Sequence, residues 1–108
     1  MEKLPVYNDI SYRINFYDSI GKILNIKNSC WSYFDVNDFN KTPEKEARIV
    51  YYDGAWGKAG QIEFDHPPTW GEIWQACDKL ILESGDNHHS FIEGFEMKGK
   101  MISFYCGS

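Results

Sequence analysis

The segment from Thr69 to Gly85 carries a full set of helix signals. Thr69 and Glu72 have the spacing of a capping box, in which the hydroxyl and the carboxylate each accept a backbone amide hydrogen of the first turn. Apolar residues then recur at three- and four-residue spacings as far as Gly85, a residue type that ends helices in the left-handed conformation. We therefore predict one helix of about four turns that covers a hydrophobic core.

The other patterned segments indicate strands. Residues 10–17 alternate between apolar and polar types, and together with turn residues at 18–21 and a short stretch at 22–27 they predict a hairpin. Gly94 lies within a further apolar segment and indicates a bulge or a close approach by another group. The additional predicted strands cover residues 30–34, 46–52, 61–65, 91–97 and 101–106.

These elements predict a single α+β domain over residues 1–108, with a mostly antiparallel sheet of five to six strands and one main helix packed on one face. Strands 46–52, 91–97 and 101–106 have large apolar residues on both sides, whereas one helix covers only one face. Loops, sheet curvature or a second copy of the chain must then cover the opposite face. We expect a homodimer, because two-fold pairing is the commonest oligomeric arrangement.

Composition excludes several classes of protein. Hydrophobic residues make up 43% and charged residues 25% of the 108 positions, so a disordered chain is excluded. The net charge is −5 and the lysines do not cluster, which argues against nucleic-acid binding. The longest apolar run, at 49–52, is far too short to span a membrane, and residues 1–7 lack the apolar stretch of a signal peptide.

The cysteines point to a reducing compartment. Cys30, Cys77 and Cys106 match neither the paired spacing of zinc ligands nor an even-numbered disulfide framework. Free thiols of this kind are typical of cytoplasmic proteins. We therefore predict a cytoplasmic protein without a bound metal or cofactor.

Five residues are candidates for a ligand- or partner-binding site. Trp56 lies in a glycine-rich loop, where an aromatic ring is either a lid or a contact anchor, whereas Trp70 at the helix start is more typical of a core residue. Glu93 either is buried with a polar partner or faces solvent. A ligand pocket would lie between the two tryptophans and the histidine pair. The full candidate set is Trp56, Trp70, His88, His89 and Glu93.

The same residues offer little for catalysis or metal binding. His88 and His89 are adjacent, so in an extended chain their side chains point to opposite sides and cannot chelate one ion. An enzyme would use one of them as a general base, oriented by an acidic residue, with Cys106 or Ser90 as nucleophile. No catalytic motif supports this arrangement, so no catalytic residue is assigned.

Two segments of the second half carry a resemblance. The stretches PPTWGEIW at 67–74 and SGDNHHSFIEGF at 84–95, with the final Gly107 and Ser108, resemble small uncharacterised bacterial proteins of integron mobile gene cassettes. Several of those proteins share a P-T-W helix start and a G-D-x-H-H strand entrance. The resemblance covers roughly the last 42 residues, 67–108. It implies a cytoplasmic accessory protein that self-associates, and it brings no catalytic residues.

Three functions follow as hypotheses. The first is a homodimeric binding protein that uses an aromatic-lined face or cleft for a protein partner or a small apolar ligand. The second is an acidic antitoxin or immunity-type protein that neutralises a basic partner. The third is a small enzyme centred on His88, His89 and Glu93.

Overall fold

A computed structural model describes residues 3–7 and 13–108 of the chain. The described residues form an α+β architecture, as predicted, with five strands in one sheet. Along the sheet the strand order is β1-β4-β5-β2-β3. The elements in chain order are α1 (Arg13–Leu24), β1 (Cys30–Trp31), β2 (Ile49–Tyr52), β3 (Gly60–Glu63), α2 (Trp70–Ser84), β4 (Phe91–Lys98) and β5 (Met101–Gly107).

The sheet is mixed, so the prediction of a mostly antiparallel sheet is wrong. The pairs β2–β3 and β4–β5 are antiparallel, whereas β1–β4 and β2–β5 are parallel. Each antiparallel pair is consecutive in the chain and forms a hairpin, which is what local sequence patterns can indicate. Parallel neighbours need a long crossover connection, and α2 lies in both of them, between β1 and β4 and between β2 and β5.

The predicted helix is confirmed in α2. The Thr69 hydroxyl accepts the backbone N–H of Glu72, and the Glu72 carboxylate accepts the backbone N–H of Thr69 at 3.0 Å, which completes the capping box. At the other end Gly85 adopts φ 83°, and its N–H donates to the carbonyl of Leu82. The helix buries one side, which includes Ile73, against the sheet.

A second helix, α1, replaces the predicted hairpin of residues 10–27. Residues 10–12 lie outside the described residues, but the chain is helical from Arg13 to Leu24. The alternation of Ile14 and Phe16 is coincidental, because Ile14 is exposed while Phe16, Tyr17, Ile20, Gly21 and Leu24 form one buried helical face. The burial of residues at the helical spacing of 3.6 residues thus outweighs the two-residue alternation of Ile14 and Phe16.

Gly21 lies inside α1 and forms no turn. A glycine is found at this position because α2 passes close to it. A Cβ atom at this position would lie 3.1 Å from the Trp74 ring of α2. The turn comes four residues later, where Asn25 has φ 62° and the N–H of Ile26 donates to the carbonyl of Gly21 at 2.8 Å. This is a helix-ending motif in which asparagine takes the place that glycine usually occupies.

The bulge predicted near Gly94 is confirmed, and it corrects the expected orientation of β4. The register between β4 and β5 shifts between Ile92 and Gly94, so Glu93 is the extra residue. The extra residue reverses the alternation, and Ile92 therefore points to the same face as Phe95 and Met97. The strand is consequently less two-sided than its sequence indicates.

Both helices pack on one face of the sheet. Val50, Ile92, Ile102 and Phe104 on that face belong to the same buried core as the apolar residues of α1 and α2. We call the opposite surface the outer face. None of its side chains is buried, so neither helix covers it. The outer face consists of Ile49, Tyr51, Gln61, Glu63, Glu96, Lys98, Met101, Ser103 and Tyr105.

Candidate functional site

A cleft of about 480 Å³ lies between α1 and the edge strand β1. We call it the α1–β1 cleft. Its surface is mostly apolar and includes the rings of two core tryptophans together with exposed apolar groups of the rim. The lining residues are Ile14, Tyr17, Asp18, Gly21, Lys22, Ile26, Ser29, Cys30, Trp31, Ser32, Phe34, Trp74 and Phe91.

Packing and hydrogen bonds hold the aromatic walls of the cleft in place. The Tyr17 hydroxyl donates to the carbonyl of Val36 at 3.1 Å and approaches that of Tyr33 at 3.2 Å, which ties the loop after β1 to α1. Phe34 stacks on the Tyr17 ring and lies under the Arg13 guanidinium at 4.6 Å. Phe34 nevertheless remains 53% exposed, so about half of the residue's surface is accessible to a ligand.

A buried carboxylate on α2 supports the other wall of the cleft. Asp78 is 8% exposed and accepts the backbone N–H of Asn28 at 2.8 Å and the Ser29 hydroxyl at 2.7 Å. It also accepts the Asn28 side-chain amide and the backbone N–H of Lys27. Ser29 in turn accepts the indole N–H of Trp74 at 3.1 Å. The segment that leads into β1 is therefore built around a single acidic side chain.

Cys30 lies on the cleft surface and is exposed. It also borders a neighbouring, more polar hollow of about 450 Å³ that reaches Asp86 and Ser90. Partial burial, together with the nearby carboxylate of Asp18, raises the pKa of the Cys30 thiol. The thiol is thus accessible but not activated as a nucleophile at neutral pH.

Three of the five predicted site residues do come together, at the end of the sheet where β5 finishes. The rings of Trp56 and His89 stack with centroids 3.8 Å apart and an angle of 7° between their planes. His88 contacts His89 edge to face. The Trp56 indole N–H donates to the carbonyl of Cys106 at 3.0 Å, which fixes the loop carrying Trp56 against β5.

Asp86 organises this histidine pair. Its carboxylate accepts the backbone N–H groups of His88 and His89 and contacts Nδ1 of His89 at 3.1 Å. Burial raises the pKa of Asp86, but the three hydrogen bonds outweigh that effect and the net pKa is lowered. The ionised Asp86 therefore holds a turn in place.

Trp70 and Glu93 lie apart from the Trp56–His89 stack. The Trp70 ring packs against Trp31, Tyr33 and Phe95, so it belongs to the aromatic core, as is typical of its position on a helix. Glu93 is exposed on the bulge of β4, close to Gly107. The predicted pocket between Trp56, Trp70 and the histidine pair is therefore wrong as a single site.

The thiol of Cys106, next to the Trp56–His89 stack, is poorly suited to nucleophilic catalysis. Burial raises the pKa of Cys106 to about 12, and the carboxylates of Asp86, Glu93 and Asp53 add to this. At neutral pH the group is a thiol rather than a thiolate.

His66 lies at the opposite end of α2 from His88 and His89. Its ring nitrogens contact Asp65 and Glu72, each at 2.7 Å. The 15 residues of α2 separate it from the other two histidines by roughly 20 Å, so the three cannot share an ion. Within residues 3–7 and 13–108, no group of three or more His, Cys, Asp or Glu side chains is arranged to hold a metal.

Sequence reasoning missed the α1–β1 cleft because it assigned residues 10–27 to strands. The signal that could have located it is the spacing of Ile14, Asp18 and Gly21, which places these residues on one side of a helix. Phe34 and Phe91 come from distant segments, and nothing in their local sequence indicates that both line one cleft.

Comparison with protein-family models, with curated proteins and with solved structures found no match to this chain. The resemblance to proteins of integron gene cassettes therefore stays a prediction. In the part of the chain that the structure describes, no helix has the length and apolar character needed to cross a membrane.

The paired contacts of His66 predict a pH dependence of stability. Hydrogen bonds to Asp65 and Glu72 raise the pKa of His66 above its ordinary value of 6.5. Because the pKa of His66 is higher in the folded protein than in the unfolded chain, protonated His66 stabilises the fold fully at pH values below its pKa in the unfolded chain. This stabilisation is lost as pH rises through the pKa of His66 in the folded protein. We expect wild type to exceed His66→Gln in urea midpoint at about pH 5.5, and the difference to shrink by about pH 8.5.

The matched control is His88→Gln, since the His88 ring contacts His89 and pairs with no carboxylate among residues 3–7 and 13–108. This variant removes an exposed imidazole without removing an ion pair, so it measures the effect of the substitution itself. A His66→Gln difference that stays constant between the two pH values would contradict the assignment.

Proposed function

We propose that this protein is a binding protein that holds a small, mainly apolar organic molecule in the α1–β1 cleft. The observation that carries the proposal is the cleft itself, with about 480 Å³ of space between walls that include Trp31, Trp74 and Phe34. Small-molecule sites in proteins are concave, mostly apolar and about 300–1,000 Å³ in volume. The cleft meets each of these conditions.

The chemistry of the lining narrows the ligand. Aromatic and aliphatic side chains dominate the surface, so the body of the ligand is apolar. Asp18 and Lys22 lie one helical turn apart on the α1 side, and both are exposed. Because the two charges are opposite, they favour a ligand whose polar group is small and neutral over one with a net charge.

The proposal concerns binding rather than catalysis. Among the described residues that line the α1–β1 cleft there is no histidine, and the one thiol, that of Cys30, has a raised pKa. The histidine pair lies elsewhere, with His89 engaged by Trp56 and Asp86. No specific observation favours the enzyme centred on His88, His89 and Glu93.

The acidic antitoxin or immunity-type alternative depends on the net charge of −5 alone. The acidic groups of the outer face, Glu63 and Glu96, are interspersed with Lys98 and do not form one acidic surface. A cytoplasmic location remains part of the proposal, supported by the three free cysteines. The accessory role depends on the resemblance to proteins of integron gene cassettes alone.

The test is binding of the neutral dye N-phenyl-1-naphthylamine, followed by its fluorescence. Wild type should bind the dye saturably. Phe34→Ala should raise the half-saturating concentration about tenfold, because the bound dye can no longer bury the part of the Phe34 ring that is exposed in the free protein. Phe34 suits this test because it lies on the cleft rim, 53% exposed, rather than in the core.

Trp56→Ala is the matched control, since Trp56 is an aromatic residue of similar exposure, 49%, outside the cleft. It should leave dye binding unchanged. The absence of saturable binding by wild type, or a loss caused by Trp56→Ala and not by Phe34→Ala, would overturn the proposal.

A further inference from the structure

A second concave space adjoins the α1–β1 cleft at the start of β1. We call it the polar hollow. It has a volume of about 450 Å³ and lies between the end of α2 and the starts of β1 and β4. Ser29 and Cys30 line both spaces, and Ser90 lines the hollow while its neighbour Phe91 lines the cleft. A ligand seated across this boundary can therefore contact the walls of both.

The polar hollow is lined by one basic and one acidic side chain, Lys27 and Asp86. Lys27 is exposed, and in the part of the chain that the structure describes it pairs with no carboxylate. The Asp86 carboxylate accepts the backbone N–H groups of His88 and His89 and contacts Nδ1 of His89. A carboxylate has about four acceptor positions, so one is left for a donor in the hollow.

The end of α2 adds to the negative charge beside Asp86. Leu82 and Gly85, at the C-terminal end of this helix, also line the hollow. The carbonyl groups at a helix C-terminus carry a partial negative charge, and the last turn of α2 contains no basic side chain to offset it. This side of the hollow therefore favours a cationic group of a ligand, whereas Lys27 favours an anionic group.

We propose that the ligand is a free amino acid with an aromatic side chain, its ring in the α1–β1 cleft and its ammonium and carboxylate groups in the polar hollow. The ammonium group pairs with Asp86 and the carboxylate with Lys27. This inference rests on the proposed binding function and names the class of ligand. An amino acid has no net charge at neutral pH, which agrees with the opposite charges of Asp18 and Lys22 in the cleft. An aromatic side chain suits the walls, because contacts between rings add to the gain from buried area.

The experiment is an NMR titration of protein labelled with ¹⁵N, using L-phenylalanine and two analogues that each lack one charged group. Phenethylamine lacks the carboxylate, and 3-phenylpropionate lacks the ammonium group. We expect phenylalanine to bind with a dissociation constant of roughly 0.1–1 mM, since a ligand of about a dozen non-hydrogen atoms binds weakly. Each analogue should bind at least about threefold more weakly. The indole signals of Trp31 and Trp74 and the backbone amide signal of Ser90 should shift together, because the ligand contacts both spaces.

Substitutions in the polar hollow should separate the two charged groups of the ligand. Lys27→Gln should raise the dissociation constants of phenylalanine and 3-phenylpropionate about threefold, but not that of phenethylamine. Asp86→Asn should weaken phenylalanine and phenethylamine instead. Because Asp86 also holds a turn, Lys27→Gln decides the question if Asp86→Asn does not fold. Lys79→Gln is the matched control, an exposed lysine of α2 that lines neither space, and it should leave all three dissociation constants unchanged.

The inference is overturned if either analogue binds as tightly as phenylalanine, or if Lys27→Gln and Lys79→Gln have the same effect on phenylalanine binding. The proposed function survives these results when N-phenyl-1-naphthylamine still binds and Phe34→Ala still weakens its binding. If neither the dye nor phenylalanine binds to wild type, the proposed function fails and the inference fails with it.

Discussion

Replacing Asp78 by Ala is expected to lower the free energy of unfolding by about 3 kcal/mol or more. The carboxylate accepts four hydrogen bonds from Lys27, Asn28 and Ser29, two of them shorter than 3.0 Å. Its removal leaves these donors partly buried without an acceptor, and each such donor costs about 1–3 kcal/mol. Urea unfolding followed by tryptophan fluorescence would measure the loss.

The same substitution should also affect the α1–β1 cleft. Ser29 and Cys30 line the cleft and follow directly from the segment that Asp78 holds. In Asp78→Ala we expect faster alkylation of Cys30 and weaker dye binding. Glu83→Ala is the control, because Glu83 is an exposed acidic residue on the same helix, and its loss should change stability by no more than about 0.5 kcal/mol. If Asp78→Ala and Glu83→Ala lowered the free energy of unfolding equally, the hydrogen bonds of the buried Asp78 carboxylate would not be what stabilises this segment.

Replacing Gly57 by Ala is expected to lower the free energy of unfolding by about 2 kcal/mol. The loop between β2 and β3 passes so close to the end of α2 that a Cβ atom at position 57 would lie 2.5 Å from the carbonyl oxygen of Ser84. That oxygen accepts the backbone N–H of Lys58 at 3.0 Å. The loop can relieve the clash only by giving up this hydrogen bond, which satisfies a helix-terminal carbonyl.

Gly94→Ala is the matched control for Gly57→Ala. A Cβ atom at position 94 would meet only Tyr105, at the ordinary contact distance of 3.8 Å. We expect its stability to be unchanged or slightly higher, since alanine loses less entropy on folding. The account of the loop fails if both substitutions have the same effect in urea or thermal unfolding.

The parts of the fold that sequence predicts are those encoded locally. The α2 helix has its start signal at Thr69 and its stop signal at Gly85 within one segment, and both are confirmed. The hairpin of β4 and β5 turns at Gly99, whose φ of 62° suits glycine. The bulge beside Gly94 is also confirmed, and it too is indicated locally, by a glycine within a strand. Each of these features depends on the conformational preferences of a few neighbouring residues.

The parts that sequence reasoning misses depend on contacts between distant residues. The segment carries two patterns, the alternation of Ile14 with Phe16 and the helical spacing of Phe16 with Ile20, and burial against Trp74 and Phe39 selects the helix. Likewise, nothing local to β2 or β5 indicates that they pair in parallel. The same limit applies to the site. Trp56, His88 and His89 meet as expected, whereas Phe34 joins the α1–β1 cleft only through the tertiary fold.

The central claim, that the α1–β1 cleft is the ligand site, is tested most directly by the indole N–H signals of the four tryptophans in protein labelled with ¹⁵N. Trp31 and Trp74 line the cleft, whereas Trp56 and Trp70 do not. On titration with N-phenyl-1-naphthylamine, we predict that the signals of Trp31 and Trp74 shift saturably while that of Trp56 stays in place. A shift of the Trp56 signal alone would contradict the claim and return the site to the stacked rings of Trp56 and His89.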